Sequence, residues 1–273
     1  MSKKSAIIAV IVEGEKREIK YFENLKRCFF PNKDVKILTL SAGENIYMLW
    51  KQMNKDDFET DIIEVLRENS PLASRGLDGL KRTDFQEVYL FFDYEAQQNN
   101  LGNKDKPADE VILEMLDKFD NETENGKLYI SYQMCEALRD IRDKDCKAFT
   151  ECFVKVELLH DYKRASGESN DYADVSMYTL ERWIMIINIF LARLKCLFSV
   201  QVEKDELLKW YKDRINVGEI FKKEKTEHTE RKRIFVLSAF PEFLIDYFTS
   251  TDILNLLSGF EIVSQSQCNL KNK

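Results

Sequence analysis

Two segments of the chain share one pattern, a continuous apolar run that stops abruptly at carboxylates. Ile7-Ile8-Ala9-Val10-Ile11-Val12 runs into Glu13-Gly14-Glu15, and Val88-Tyr89-Leu90-Phe91-Phe92 runs into Asp93-Tyr94-Glu95. An uninterrupted β-branched and aromatic run fits a strand covered on both faces, as in a parallel sheet. The first run predicts a strand over 6–12, a turn at Gly14 and a helix over 15–29, where Ile19, Phe22 and Leu25 recur at helical spacing ahead of Pro31. Residues 35–40 alternate like a second strand and lead through Ser41-Ala42-Gly43-Glu44 into helices over 46–53 and 58–68. Residues 69–84, with Pro71, Gly76 and Gly79, read as a surface connection to the strand at 88–92. A polar loop over 96–105, a helix over 108–119 opened by Pro107, a strand over 128–132 and a helix over 134–141 follow.

This alternation of strands and helices requires parallel neighbours joined by crossover helices. From residue 171 onward the periodicity is helical, over 175–198, 203–215, 217–221 and 242–257, with an apolar run at 234–239. The expected fold is α/β, a parallel sheet flanked by helices and followed by a mostly α-helical C-terminal region. Ser166-Gly167-Glu168-Ser169-Asn170-Asp171 is the best linker on composition, so the expected domains are 1–165 and 166–273.

Composition narrows the chemistry. Only 9 Gly and 4 Pro interrupt 273 residues, which suits long helices better than an all-β chain. The net charge of −7 opposes a whole-surface attraction to nucleic acid, so such binding needs a local basic patch or metal ions. None of the six cysteines forms a C-x-x-C pair, and none has metal-ligand spacing to His160 or His228; reduced structural thiols are expected. The apolar stretch at 183–192 is bounded by Arg182 and Arg193, and ten residues fall well short of the roughly 20 needed to span a membrane. The N-terminal run meets Glu13 too early for a signal peptide, so a cytoplasmic protein with no membrane segment is expected.

The candidate chemistry lies where the two acid-tipped strands end. In one parallel sheet their carboxyl ends open into a common crevice, the place where ligands bind in open α/β sheets. Glu13, Asp93 and Glu95 form a carboxylate set suited to a hard divalent cation such as Mg²⁺ or Mn²⁺. Asp93 and Glu95 point the same way in an extended segment, and Glu18, one turn into the first helix, is within reach of the same cavity.

An acid followed by Gly after the first strand, with an acid-x-acid pair after a later one, resembles the Toprim domain over about residues 5–165. Val12-Glu13-Gly14-Glu15-Lys16-Arg17-Glu18-Ile19-Lys20-Tyr21-Phe22 looks most like the RloB-like branch and its relatives among the OLD-family nucleases of bacterial phage defence. The stretches at 128–138 and 239–244 are similar to it as well. The resemblance implies a Mg²⁺-dependent endonuclease in which Glu13 binds metal or shuttles a proton, Asp93 and Glu95 hold the ion, and Glu18 completes a second metal position. Here Asp-Tyr-Glu stands where Asp-x-Asp is usual. The resemblance also implies a basic residue near the scissile phosphate, for which Lys163 and Arg164 are the candidates. It further implies a DNA or RNA substrate, transfer RNA among them, and an ABC- or SMC-like ATPase partner. The chain carries no G-x-x-x-x-G-K-[ST] loop of its own.

Plainer readings stand beside these. Glu13 alone fits an acid capping the next helix. Lys222, Lys223, Arg231 and Arg233 are candidate nucleic-acid contacts, but Glu224, Glu227 and Glu230 interleave and predict a solvated, ion-paired helix face. Trp183, Ile186, Ile187, Phe190 and Leu194 form a stripe read as core, or as a homo-oligomer or ATPase interface. A catalytically silent regulatory subunit is the rival from another class; a topoisomerase or primase needs domains that this length does not accommodate.

Overall fold

The computed structural model describes residues 6–31, 35–43, 46–94, 108–140, 152–166, 172–202 and 204–258. The chain divides into two compact units, Met1–Ser131 with Val175–Met177, and Tyr132–Asp174 with Tyr178–Lys273. The division thus falls at Ser131/Tyr132, ahead of the 166–171 segment chosen on composition, of which 167–171 lie outside the described residues.

The first unit is α/β. Its strands are β1 (Ala6–Val12), β2 (Val35–Ser41), β3 (Phe85–Tyr94), the two-residue β4 (Asp120–Asn121) and β5 (Gly126–Tyr132), in the order β2-β1-β3-β5-β4. β2 and β3 both run parallel to β1, while β4 is antiparallel to β5. β1 is the most deeply covered strand, with Ala9 to Val12 fully buried, as its uninterrupted apolar run requires. The chain leaves β1 for β2 on one side and returns to place β3 on the other. β1 and β3 therefore flank the topological switch point of the sheet.

Helix α1 (Arg17–Phe29) buries Glu18, Tyr21, Phe22 and Leu25 along one face, and Phe22 meets the Phe91 ring edge-on at 4.6 Å between centroids. Helix α2 (Ile46–Met53) matches its periodicity. The helix expected over 58–68 begins later, as α3 (Ile62–Asn69). Asp57 and Phe58 are left-handed, with φ of 53° and 64°, and the helix starts only where the Asp61 side chain accepts from the Ile63 and Glu64 amides. The connection expected over 69–84 contains α4 (Pro71–Gly76), capped by Ser70 and opened by Pro71 at its first position. Helix α5 (Ala108–Lys118) then buries Val111, Ile112 and Met115.

The second unit is mostly helical. The helix expected over 134–141 is a single 3₁₀ turn at Cys135–Leu138, and Ile141 lies outside the described residues. Strand β6 (Phe153–Lys155) pairs antiparallel with β7 (Arg233–Phe235), an element that the sequence reading left out. Between them come α6 (Tyr162–Ala165), α7 (Leu180–Phe198), α8 (Lys204–Arg214) and α9 (Val217–Arg231). Val175–Met177 is a separate 3₁₀ turn of the first unit, so the expected 175–198 helix begins only at the Thr179 cap. The helix expected over 242–257 is two, α10 (Ala239–Tyr247) and α11 (Ser250–Ser258). Phe248 is extended between them, and Thr249 and Asp252 cap each other reciprocally.

The α7 stripe is core: Trp183, Ile187 and Leu194 are completely buried, and the helix packs against α8, α9, α10 and α11. It is not an exposed interface. Glu224, expected on a solvated face of α9, is completely buried instead. One carboxylate oxygen accepts from the Phe235 amide at 3.0 Å, and the other has no hydrogen-bond partner among the described residues. Burial pushes its pKa well above the ordinary glutamate value, and nearby Glu227 adds to the rise, against the pull of the Phe235 amide and Arg233. The unfolded chain therefore releases this proton at lower pH than the native one, so stability is lost as pH rises above about 4.5. Glu224→Gln is expected to raise the melting temperature at pH 8 and to leave it nearly unchanged at pH 4, as a pH series of thermal melts would read.

Candidate metal and proton-transfer site

The site sits at the switch point. Val12, the last residue of β1, pairs in register with Phe91, so Glu13 leaves β1 just where Asp93 nears the end of β3. The meeting is direct. Glu13 Oε2 accepts from the Asp93 amide at 3.3 Å, and Glu13 Oε1 accepts from the amide of Ile46, the first residue of α2, at 2.9 Å. Glu13 does cap a helix, but it is α2 rather than the α1 that follows it in sequence.

Glu18 folds back over the β1–α1 turn. Its Oε1 accepts from the Gly14 amide at 3.1 Å, and the side chain is 8% exposed. A Cβ on Gly14 would overlap this carboxylate, standing 2.7 Å from its Cδ. Glycine thus leaves the space that Glu18 fills. Carboxylate oxygens of Glu18 and Asp93 lie within 4.8 Å of each other. Oxygens on opposite sides of a magnesium ion stand about 4.2 Å apart, so a small adjustment brings the two acids onto one ion.

The electrostatics match this crowding. Burial, then the Asp93 charge, pushes the Glu13 carboxyl well above its ordinary pKa; the Ile46 and Asp93 amides oppose the rise and Glu18 adds to it. Three acids held together in this way repel one another until a proton or a cation arrives. Glu18 and Asp93 offer carboxylate oxygens, a donor type that suits a hard divalent ion.

The other expected residues fall elsewhere. Glu95 lies outside the described residues. Lys163 and Arg164 belong to α6 of the second unit, Lys163 Nζ standing 4.0 Å from buried Glu136 and Arg164 3.0 Å from Asp161. Exposed His160 makes ordinary polar contacts with the Glu157 carbonyl and Asp161. In the basic cluster Lys222 pairs with Glu219, and Arg231 and Arg233 both pair with Glu227. Arg233 also lies over the Phe153 ring at 4.3 Å, and Lys223 over Phe198 at 5.9 Å. These side chains are engaged within the second unit, as the interleaved acids predicted. Among the described residues no helix is long and apolar enough to cross a membrane.

Sequence reasoning missed two participants, the Ile46 and Gly14 amides, because backbone donors leave no side-chain signature. The one available signal was the helix start after Gly43. Comparison with family models, curated proteins and solved structures finds no match to this chain.

Proposed function

We propose that this chain is a Mg²⁺-dependent, Toprim-type endonuclease that hydrolyses phosphodiesters in nucleic acid. The observation that carries the reading is the meeting of Glu13 with Asp93 at the carboxyl ends of the two switch-point strands, with Glu18 folded back beside them. Asp93 and Glu18 would hold the ion, and the family resemblance implies Glu95, which lies outside the described residues, as a further ligand. When bound, Mg²⁺ or Mn²⁺ neutralises charge that develops on the phosphoryl oxygens. Glu13 is fixed at both oxygens by backbone amides, and its raised pKa makes it a better proton acceptor for the attacking water than an ordinary carboxylate. Each carboxylate oxygen has a second lone pair, so the amide contacts leave Glu13 able to accept that proton.

Toxic action in antiviral defence, control by an ATPase partner, self-association and a role for Lys163 at the scissile phosphate extend the same reading and come from the family resemblance. The test is cleavage of single- and double-stranded DNA and RNA, transfer RNA included, with Mg²⁺ or Mn²⁺. Glu13→Gln is expected to slow cleavage about 10²–10⁴-fold, the scale of one general acid–base group. Cleavage equally fast in wild type and Glu13→Gln would overturn the assignment. Metal binding without cleavage of any substrate, with or without an ATPase, would favour a silent regulatory subunit.

A further inference from the structure

Helix α2 starts at the acid site, where the amide of its first residue, Ile46, donates to Glu13 Oε1 at 2.9 Å. Ile46, Leu49, Trp50 and Met53 form its buried face. Tyr47 and Lys51, four residues apart, share another face of the helix; Tyr47 is half-buried and Lys51 is exposed. Helix side chains lean toward the N-terminus, which for α2 is the end that meets Glu13.

The Tyr47 ring lies nearly parallel to that of Trp50, with 5.8 Å between centroids and 19° between planes. Trp50 is 7% exposed, and its buried Nε1–H finds no acceptor among the described residues. The tryptophan therefore serves α2 through its ring area, which a smaller apolar side chain without an orphan donor would not supply. Backed in this way, the Tyr47 ring is held in one plane beside the start of α2. Among the described residues Lys51 forms no ion pair or hydrogen bond, so its charge is available to an anion.

We propose that Tyr47 is a stacking platform for an unpaired base of the substrate, with Lys51 meeting an adjoining phosphate. The inference rests on the nuclease reading and names its substrate class, a single-stranded or looped-out segment of DNA or RNA. A duplex keeps both faces of each base covered by its neighbours, so only an unpaired base can lie on Tyr47. Every base has such a face, so the platform selects unpaired structure rather than sequence. Lys51 stands about 6 Å along the helix from Tyr47 and adds a local attraction for phosphate that the net charge of −7 does not provide.

Binding by the full chain, read without cleavage, tests the platform apart from the nuclease. Fluorescence anisotropy of labelled oligo-dT and oligo-U of about 12 nucleotides, with Ca²⁺ in place of Mg²⁺, is expected to show saturable binding, and duplexes of the same length should bind more weakly. Tyr47→Ala should weaken single-strand binding about 10–100-fold, the scale of one lost base stack, while Tyr47→Phe, which keeps the ring, should bind like wild type. Should Tyr47→Ala not fold, Tyr47→Leu keeps apolar volume without a flat face and should show the same loss. Lys51→Ala should reduce the slope of log affinity against log salt by about 0.7. Duplexes bound as tightly as single strands, or single strands bound equally by wild type and Tyr47→Leu, would overturn the platform even if Mg²⁺-dependent cleavage is seen. The expected binding pattern without cleavage in Mg²⁺ would instead support the platform and count against the nuclease alone.

Discussion

Asp93→Asn is expected to stabilise the metal-free protein and to remove its stabilisation by Mg²⁺. The two effects have opposite signs and a common cause. Without a cation, Asp93 is the charge that most disfavours an ionised Glu13, second only to burial. Its neutralisation should contribute on the order of 1 kcal/mol, the scale for one like-charge contact at a partly solvated site, or about 2–4 °C in melting temperature. With Mg²⁺ at 100 times its dissociation constant, the wild type should gain about 2.7 kcal/mol. The variant should gain almost nothing, because loss of a groups-supporting contact around a metal already costs 10–100-fold in affinity and loss of a direct ligand costs more. Thermal melts in EDTA and in Mg²⁺ read both signs. If Mg²⁺ stabilises wild type and Asp93→Asn equally, Asp93 is not a ligand.

Acidity gives the same account a second readout. The folded Glu13 carboxyl titrates above its unfolded value near 4.5, so both states hold the proton at lower pH and no penalty arises there. As pH rises past 4.5 the unfolded chain releases its proton first. The metal-free protein then loses stability until the folded pKa is passed. Asp93→Asn should flatten that slope, and saturating Mg²⁺ should reverse it, since the cation binds the deprotonated form.

The acid pair was legible in the sequence because two one-dimensional signals coincided. An unbroken apolar run marks a doubly covered strand, and a carboxylate at its end must then emerge at the carboxyl edge of the sheet. Nothing comparable announces a short antiparallel pair: Phe153–Lys155 and Arg233–Phe235 are three residues each, too brief for a period to register. Ser70-Pro71 was a readable helix start, a cap residue followed by proline at the first helical position, yet Pro71 and two glycines drew the segment toward a loop. Glu224 misled for another reason. Spacing on α9 fixes which residues share a face, but not that the face covers β7 and gives an oxygen to the Phe235 amide. The length of the second unit's preface, from Tyr132 to the start of α7, also escaped the pattern, because domain membership follows contacts between distant segments rather than local composition.

Gly14→Ala is expected to separate the acid site from the fold. Gly14 has no positive φ, so alanine is sterically allowed there, but its methyl group would occupy the space of the Glu18 carboxylate. That group is the far end of a flexible side chain, and rotation away from the Gly14 amide relieves the clash. The loss to stability should be small, about 1 kcal/mol for one hydrogen bond at a partly buried site. The loss to the proposed ion should be much larger: with Glu18 displaced from beside Asp93, Mg²⁺ affinity is expected to fall 10–100-fold. Glu18→Gln, which keeps the shape and removes the charge, should reproduce the weaker binding without the steric change. Calorimetric titration with Mg²⁺ or Mn²⁺ alongside thermal melts in EDTA distinguishes the outcomes. Unaltered affinity in Gly14→Ala would mean that Glu18 supports the β1–α1 turn and takes no part in holding the ion; weaker binding in both variants, with similar metal-free melting temperatures, would make the turn glycine the device that positions a ligand.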